Sequence, residues 1–344
     1  MNARASNSAL RVTHVGLLVR WLSFLESEGV CTERLLASAG IPKMLLDYPK
    51  ALLPEDNAFR LIELGCQALG TEHLGIHLLR PNALKDYGSY GRMLENSLTV
   101  YDYLRRGTLH YNSLTTGQRA WLSTEGGDIR LNVETFPDTG LGAYQTHLST
   151  LLITLINLRK ADPNWVPREM GLAYRSRETF PEIGLCSSSR LSWDTRVSFI
   201  AIPRDLLGVR LALHGCGVSS NEQPAAGVEP IPEKFSGLVQ FQVESLMSDA
   251  TFHIDTLAES LSMSRRSLQR KLANQGLNFS QVLTQVRRRL AADWLETTDK
   301  SITDIAFDLG YTDASNFTRA FRWQAGVPPK EFRKINRDPF AASQ

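Results

Sequence analysis

Seven side chains near the C-terminal end of this 344-residue chain have the types and spacing to bond the edges of nucleic-acid bases. In the stretch SNFTRAF (315–321), Phe317 and Phe321 stand four apart, so both rings fall on one stripe of a helix. That spacing turns Ser315, Thr318, Arg319 and the following Arg322 onto another stripe. Earlier, in RRSLQRKL (265–272), Leu268 and Leu272 form the inner stripe, and Arg266, Gln269 and Arg270 form the outer one. Arginine bonds guanine O6 and N7 with two donors, glutamine does the same with adenine, and hydroxyls reach bases or phosphates. For one such stripe alone, a plain solvated face is an equal reading.

Other constellations point to less. His73 and His77 stand four apart in EHLGIH, a spacing that serves a metal on a helix. Gly75 lies between them and no third ligand is evident, so no metal and no cofactor are expected. YGSYGRM (87–93) has two glycines but lacks the strand and spacing of a nucleotide loop; Tyr87, Tyr90 and Arg92 are its candidates for lining an effector pocket. The four cysteines, Cys31, Cys66, Cys186 and Cys216, are scattered without a CxxC, which fits a reduced, cytosolic compartment. A reactive thiolate needs basic or metal neighbours. None of the four has them locally, and no Ser/His/Asp arrangement is legible, so no enzyme is expected. His147, on an apolar helix with Leu148, Leu151, Leu152 and Leu155, reads as a core histidine among core leucines.

The two outer stripes belong to a repeat. Leu257, Ala258, Leu261, Met263 and Ser264 recur 48 positions later as Ile305, Ala306, Leu309, Tyr311 and Thr312. After one inserted residue, Leu268, Arg270 and Leu272 recur as Phe317, Arg319 and Phe321. Each copy predicts a short helix capped at Asp255 or at Ser301, where Ser301 and Asp304 make a capping box. A tight turn follows, LSMS or LGYT, and a second helix opens at Ser264 or at Thr312-Asp313. Helix, short turn and helix make a helix-turn-helix, whose second helix enters the DNA major groove. The two units span 255–276 and 302–326. Between them, Val282, Val286, Leu290 and Trp294 recur every four residues and predict one long joining helix over 280–299. Its Arg287, Arg288 and Arg289 read equally as phosphate contacts or as a wet face.

Upstream of this all-α domain (234–337), the stretch 215–233 is rich in Gly, Pro and Ser and reads as a linker; residues 338–344 form a tail. Residues 1–214 read as one α+β domain. Helical periodicity marks 15–29, 55–70, 100–112 and 144–160, a hairpin turns at Gly126-Gly127 within 118–136, and strands are expected at 168–176 and 196–203. From residue 251 on there are 14 Lys+Arg against 10 Asp+Glu, a net of +4, while residues 1–250 carry −2 of the chain's +2. The basic excess at the C-terminal end fits a polyanionic partner there. Arg20 interrupts the apolar run VGLLVRWL, so no signal peptide is expected, and LLITLINL (151–158) is far below the roughly 20 residues needed to span a bilayer.

LAESLSMSRRSLQRKL followed by ITDIAFDLGYTDASNFTRAFRWQAGVPPKEFR resembles the DNA-binding domain of the AraC/XylS transcription regulators, over about residues 235–337. Position by position, the resemblance places base contacts at Arg266, Gln269 and Arg270 in the first unit, and at Ala314, Ser315, Thr318 and Arg319 in the second. Ala314 departs from the pattern, since alanine at most touches a thymine methyl. Ser262 departs too, standing where the second copy has Gly310. A non-glycine residue in the left-handed region costs on the order of 1 kcal/mol, so the first turn is expected to be less ideal or differently shaped. More loosely, RWLSFLESEGVCTERLLASAGIP (20–42) and VSFIAIPRDLLGVRLALHG (197–215) resemble the arabinose-binding-type domain of regulators similar to the ornithine-utilisation and VirS-like proteins. The resemblance implies a cytoplasmic, effector-responsive activator. Its implied partners are double-stranded operator or promoter DNA, a small organic effector, RNA polymerase and a second copy of the chain. Two alternatives stay open: a DNA repair or modifying enzyme fused to such a domain, and a regulator whose N-terminal domain only dimerises.

Overall fold

The computed structural model describes residues 10–80, 82–136, 140–181, 189–211, 213, 230–247 and 253–337. It divides into two compact units that meet in sequence at Ile231 and Pro232. Residues 215–229 of the expected linker (215–233), the tail (338–344), Cys186 and Cys216 lie outside the described residues.

The first unit opens with β1 (Val12–His14), which pairs antiparallel with β2 (Leu52–Pro54). Between them lie α1 (Val19–Ser27) and α2 (Thr32–Ser38); α3 (Glu55–Leu69), α4 (Gly88–Glu95) and α5 (Val100–Leu109) follow. The anticipated hairpin is β3 (Gln118–Glu125) and β4 (Asp128–Thr135), with Glu125 opposite Asp128 and Gly126 left-handed in the turn. Then come α6 (Leu141–Leu158), β5 (Glu169–Leu172), β6 (Arg190–Trp193) and β7 (Ser198–Pro203). The five-stranded sheet runs β3-β4-β7-β5-β6, antiparallel except for the β5–β6 pair. Apolar on nearly every side, α6 lies between β4, β5 and β7 on one flank and α3 on another. Its Leu148, Leu151, Leu152 and Leu155 are wholly buried. His147 is a core residue as well. It shares hydrogen bonds with Thr135 Oγ1 (2.8 Å) and Ser198 Oγ (3.0 Å), and burial pulls its pKa down to about 4.

The second unit is helical throughout its described residues: α7 (Phe235–Leu246), α8 (Ile254–Ser260), α9 (Arg265–Ala273), α10 (Phe279–Thr297), α11 (Ile302–Asp308), α12 (Ala314–Ala325) and α13 (Pro329–Arg337). Local chemistry sets most boundaries. Ser264 caps α9 by accepting the Ser267 N–H, and Asp313 caps α12 by accepting the Asn316 N–H at 2.7 Å. Ser301 and Asp304 make the expected reciprocal box at the start of α11, and the left-handed Gly326 ends α12. Asp255 is not a cap. His253 occupies the N-cap position of α8, and Asp255 sits in the first turn, paired with Arg265 at 3.3 Å. There an acidic side chain meets the helix dipole instead of closing the end. Among the described residues, no helix is long and apolar enough to cross a membrane.

Candidate nucleic-acid interface and ligand cavity

The two helix-turn-helix units, α8–α9 and α11–α12, are built alike. In the first turn the Met263 N–H donates to the Ala258 carbonyl, and in the second the Tyr311 N–H donates to the Ala306 carbonyl, both at 2.9 Å. The N–H of Ser262 reaches Glu259 O at 2.9 Å, and that of Gly310 reaches Phe307 O at 2.8 Å. Ser262 has φ 51° and Gly310 φ 71°. The first turn is therefore not reshaped: Ser262 adopts the left-handed conformation that its counterpart reaches with glycine, and carries the strain.

With the turns matched, the outer stripes fall where the spacing placed them. Leu268 and Leu272 are wholly buried and Phe317 and Phe321 nearly so, with the Phe317 ring centroid 5.5 Å from Tyr311 and 5.7 Å from Phe321. Arg266, Gln269, Arg270, Ser315, Arg319 and Arg322 are exposed, and Thr318 and Ala314 are half-buried. Neither α9 nor α12 contains an acidic residue. Arg319 donates to Asn316 Oδ1 at 2.6 Å, and Asn316 Nδ2 donates to Thr312 Oγ1 at 3.2 Å. Asn316 thereby positions Arg319 from within the helix, a role that spacing alone did not single out.

At ~1.5 Å per residue, the 19 residues of α10 span about 28 Å, close to the roughly 34 Å of one DNA turn. The three arginines of α10 separate in role. Arg287 is half-buried, with its guanidinium 4.7 Å from the Tyr311 ring centroid and Nη2 donating to Gly310 O at 3.1 Å; it ties α10 to the second turn. Arg289 pairs with Glu244 of α7, and Arg288 is exposed.

In the first unit, two small cavities adjoin. One, of about 50 Å³, is lined largely by Tyr90, Tyr103, Leu84, Leu94, Leu104 and Ile153. The other, of about 60 Å³, is lined by Arg20, Trp21, Glu55, Gln118 and Ser149 among others. Tyr87, Tyr111, Leu114 and Thr150 line both. Of the three residues expected at an effector pocket, Tyr87 thus borders both cavities and Tyr90 one. Tyr90 packs there as a core residue, its hydroxyl donating to Gly107 O at 2.9 Å. Arg92 is exposed and lines neither. The glycines of YGSYGRM serve the backbone: Gly88 has φ 56°, and a Cβ on Gly91 would come within 1.8 Å of Leu84 O. Sequence reasoning missed Arg20 and Glu55. Arg20 had been legible only as the charge interrupting an apolar run.

The remaining candidates resolve locally. His73 and His77 do not share a ligand: His73 bonds Tyr144 Oη at 2.8 Å, while His77 stacks on Phe24 with centroids 5.0 Å apart. No group of three His, Cys, Asp or Glu among the described residues is placed to hold a metal. Burial pushes the Cys66 thiol up to about 12, the reverse of an activated thiolate.

Residues 29–218, more than half of the chain, match the family described as the arabinose-binding domain of AraC transcription regulator, N-term. Residues 257–335 match a helix-turn-helix domain family. The chain is 27% identical over 326 residues to the ornithine utilization regulator of Pseudomonas aeruginosa, covering 91% of this chain and 94% of that protein. To the transcriptional activator RhaS of Escherichia coli it is 36% identical over 87 residues, 25% of this chain and 31% of that one. Among solved structures, the transcriptional regulator CdpR from P. aeruginosa aligns over 90% of this chain and 98% of its own, with 18% identity and a TM-score of 0.33. Two helix-turn-helix units with matched turns and outward basic stripes, following an N-terminal domain of this type, agree with the sequence matches: the chain belongs to the AraC family of DNA-binding transcription regulators.

Proposed function

We propose that α9 and α12 are the two base-reading helices, with Arg266, Gln269 and Arg270 reading one half of an operator and Ser315, Thr318, Arg319 and Arg322 the other. One observation carries this: two register-matched stripes face outward from near-identical turns, rich in side chains that bond base edges and free of acidic ones. On this reading the chain is a cytoplasmic activator. Its first unit binds a small organic effector and joins two copies of the chain, and the DNA-bound form engages RNA polymerase.

The modular part is tested with the fragment 232–344. It has its own buried core, including Leu257, Leu268, Leu290, Ile305 and Phe317. The fragment should fold alone and bind DNA at low salt, while light scattering should find the full chain dimeric at tens of micromolar and the fragment monomeric. A fragment that folds yet fails to bind DNA under conditions where the full chain binds contradicts the assignment.

A further inference from the structure

Arg20 is a buried cation without a counter-ion among the described residues. The residue is 9% exposed, and no described Asp or Glu pairs with it. Nη2 donates to Tyr87 Oη at 2.6 Å and reaches Ser149 Oγ at 3.4 Å, with the guanidinium 4.7 Å from the Tyr87 ring centroid. Nε and Nη1 are buried with no hydrogen-bond partner among the described residues. Buried charges in folded proteins are ordinarily paired and their donors satisfied, because desolvating them is costly. Glu55 lines the same cavity but does not pair with Arg20. Its Oε1 accepts from Thr115 Oγ1 (2.6 Å) and Gln118 Nε2 (2.7 Å), while Oε2 has no partner among the described residues. Burial pushes the Glu55 carboxyl up, which weakens it as a compensating anion.

The surroundings say what kind of molecule fits. Beyond Tyr87 and Tyr111 lies the leucine-lined cavity, which takes an apolar body. Arg20 also borders an outer cleft of about 570 Å³ that carries Lys85 and the Arg80–Asp86 pair (2.6 Å), a net positive approach. At roughly 10–15 Å³ per water, the two inner cavities together have room for about seven to eleven waters.

We propose that this cavity is a carboxylate site: a small organic acid seats a carboxylate oxygen on an unpartnered guanidinium nitrogen of Arg20 and its apolar chain against the leucines beyond Tyr87 and Tyr111. The inference rests on the effector reading above and narrows it to a chemical class. The carboxylate is shared by simple acids and by amino acids.

The test uses the full chain with three probes of matched length: valerate, its amide valeramide, and norvaline. Trp21 lines the cavity, so tryptophan fluorescence and thermal melting both report occupancy. Valerate or norvaline should shift both signals and valeramide should not. Arg20→Met should weaken the response about tenfold or more, the loss of at least one charge-assisted hydrogen bond, and Arg20→Lys should keep part of it. The ligand-free Arg20→Met protein should melt no lower than the parent, since it removes an uncompensated buried charge. If norvaline binds and valerate does not, the ligand is of the amino-acid type; if valerate binds and norvaline does not, it is a simple acid. A response to valeramide that Arg20→Met retains would leave the effector reading standing and overturn the carboxylate assignment. So would a lower melting point of ligand-free Arg20→Met, which would make the arginine structural, or no response to any of the three probes.

Discussion

Exchanging the residues at the two matched turns should change stability with opposite signs. Gly310 has φ 71°, and a Cβ placed there lies 3.2 Å from Arg287 Nη2, the group that bonds its carbonyl. Gly310→Ala therefore introduces left-handed strain of about 1–2 kcal/mol. Loss of chain freedom in the unfolded state returns about 0.4–1 kcal/mol. The net is a destabilisation of about 1 kcal/mol, with Arg287 displaced slightly. Ser262, at φ 51°, already carries that strain. Ser262→Gly relieves it and meets the opposite unfolded-state term, so it should stabilise by about 0.5 kcal/mol. Urea denaturation of the 232–344 fragment measures both changes, with the slope of the transition checking that the denatured state is unchanged. Equal midpoints for Gly310→Ala and the parent would refute the claim that the left-handed turn is held under constraint.

The inward and outward aromatic residues of α12 should separate cleanly. Phe317→Ala should cost about 3–5 kcal/mol in stability, whereas Trp323, 85% exposed, should change it by no more than about 0.5 kcal/mol when replaced by alanine, both read by the same denaturation. The first unit should weaken in mild acid. The His147 pKa is depressed to about 4 from 6.5, so the stability tied to its neutral form is complete above pH 6.5 and is lost as pH falls towards 4, about 3 kcal/mol in all. His14 and His73, both lowered by burial, act in the same direction, and Glu55, raised by burial, acts against them. Melting curves of the parent and of His147→Gln between pH 7 and 5 isolate the histidine; an equally steep loss in the variant would assign the acid lability elsewhere.

What was legible in the sequence was whatever depends on local spacing. The repeat, the Ser301–Asp304 box, the Gly126-Gly127 hairpin and the apolar α6 are set by side chains within a few residues of each other. The structure has them where the pattern puts them. β6 was not legible: four residues, RLSW, become a strand only by lying parallel to β5. The three-residue β1 and β2 are likewise too short to show a period. The N-terminal cavity was half legible. Tyr87 and Tyr90 come from one aromatic-rich turn, but Arg20, Glu55 and Ser149 come from three separate helices and meet only through packing. Arg92 shares the motif and still points away, because α4 turns it to the exposed side.

The most direct test of the central claim is a binding-site selection from random DNA with the full chain, run in parallel for the parent, Arg270→Ala and Arg319→Ala. A base-reading arginine contributes about 1–3 kcal/mol of discrimination at one base pair, whereas a phosphate contact weakens binding to all sequences alike. Arg270→Ala should lose preference in one half of the selected site and leave non-specific binding nearly intact. Arg319→Ala should lose it in the other half, more weakly, beside an Ala314 that donates no hydrogen bond. If Arg270→Ala selects the parental sequence at every position, α9 does not read the major groove through that stripe.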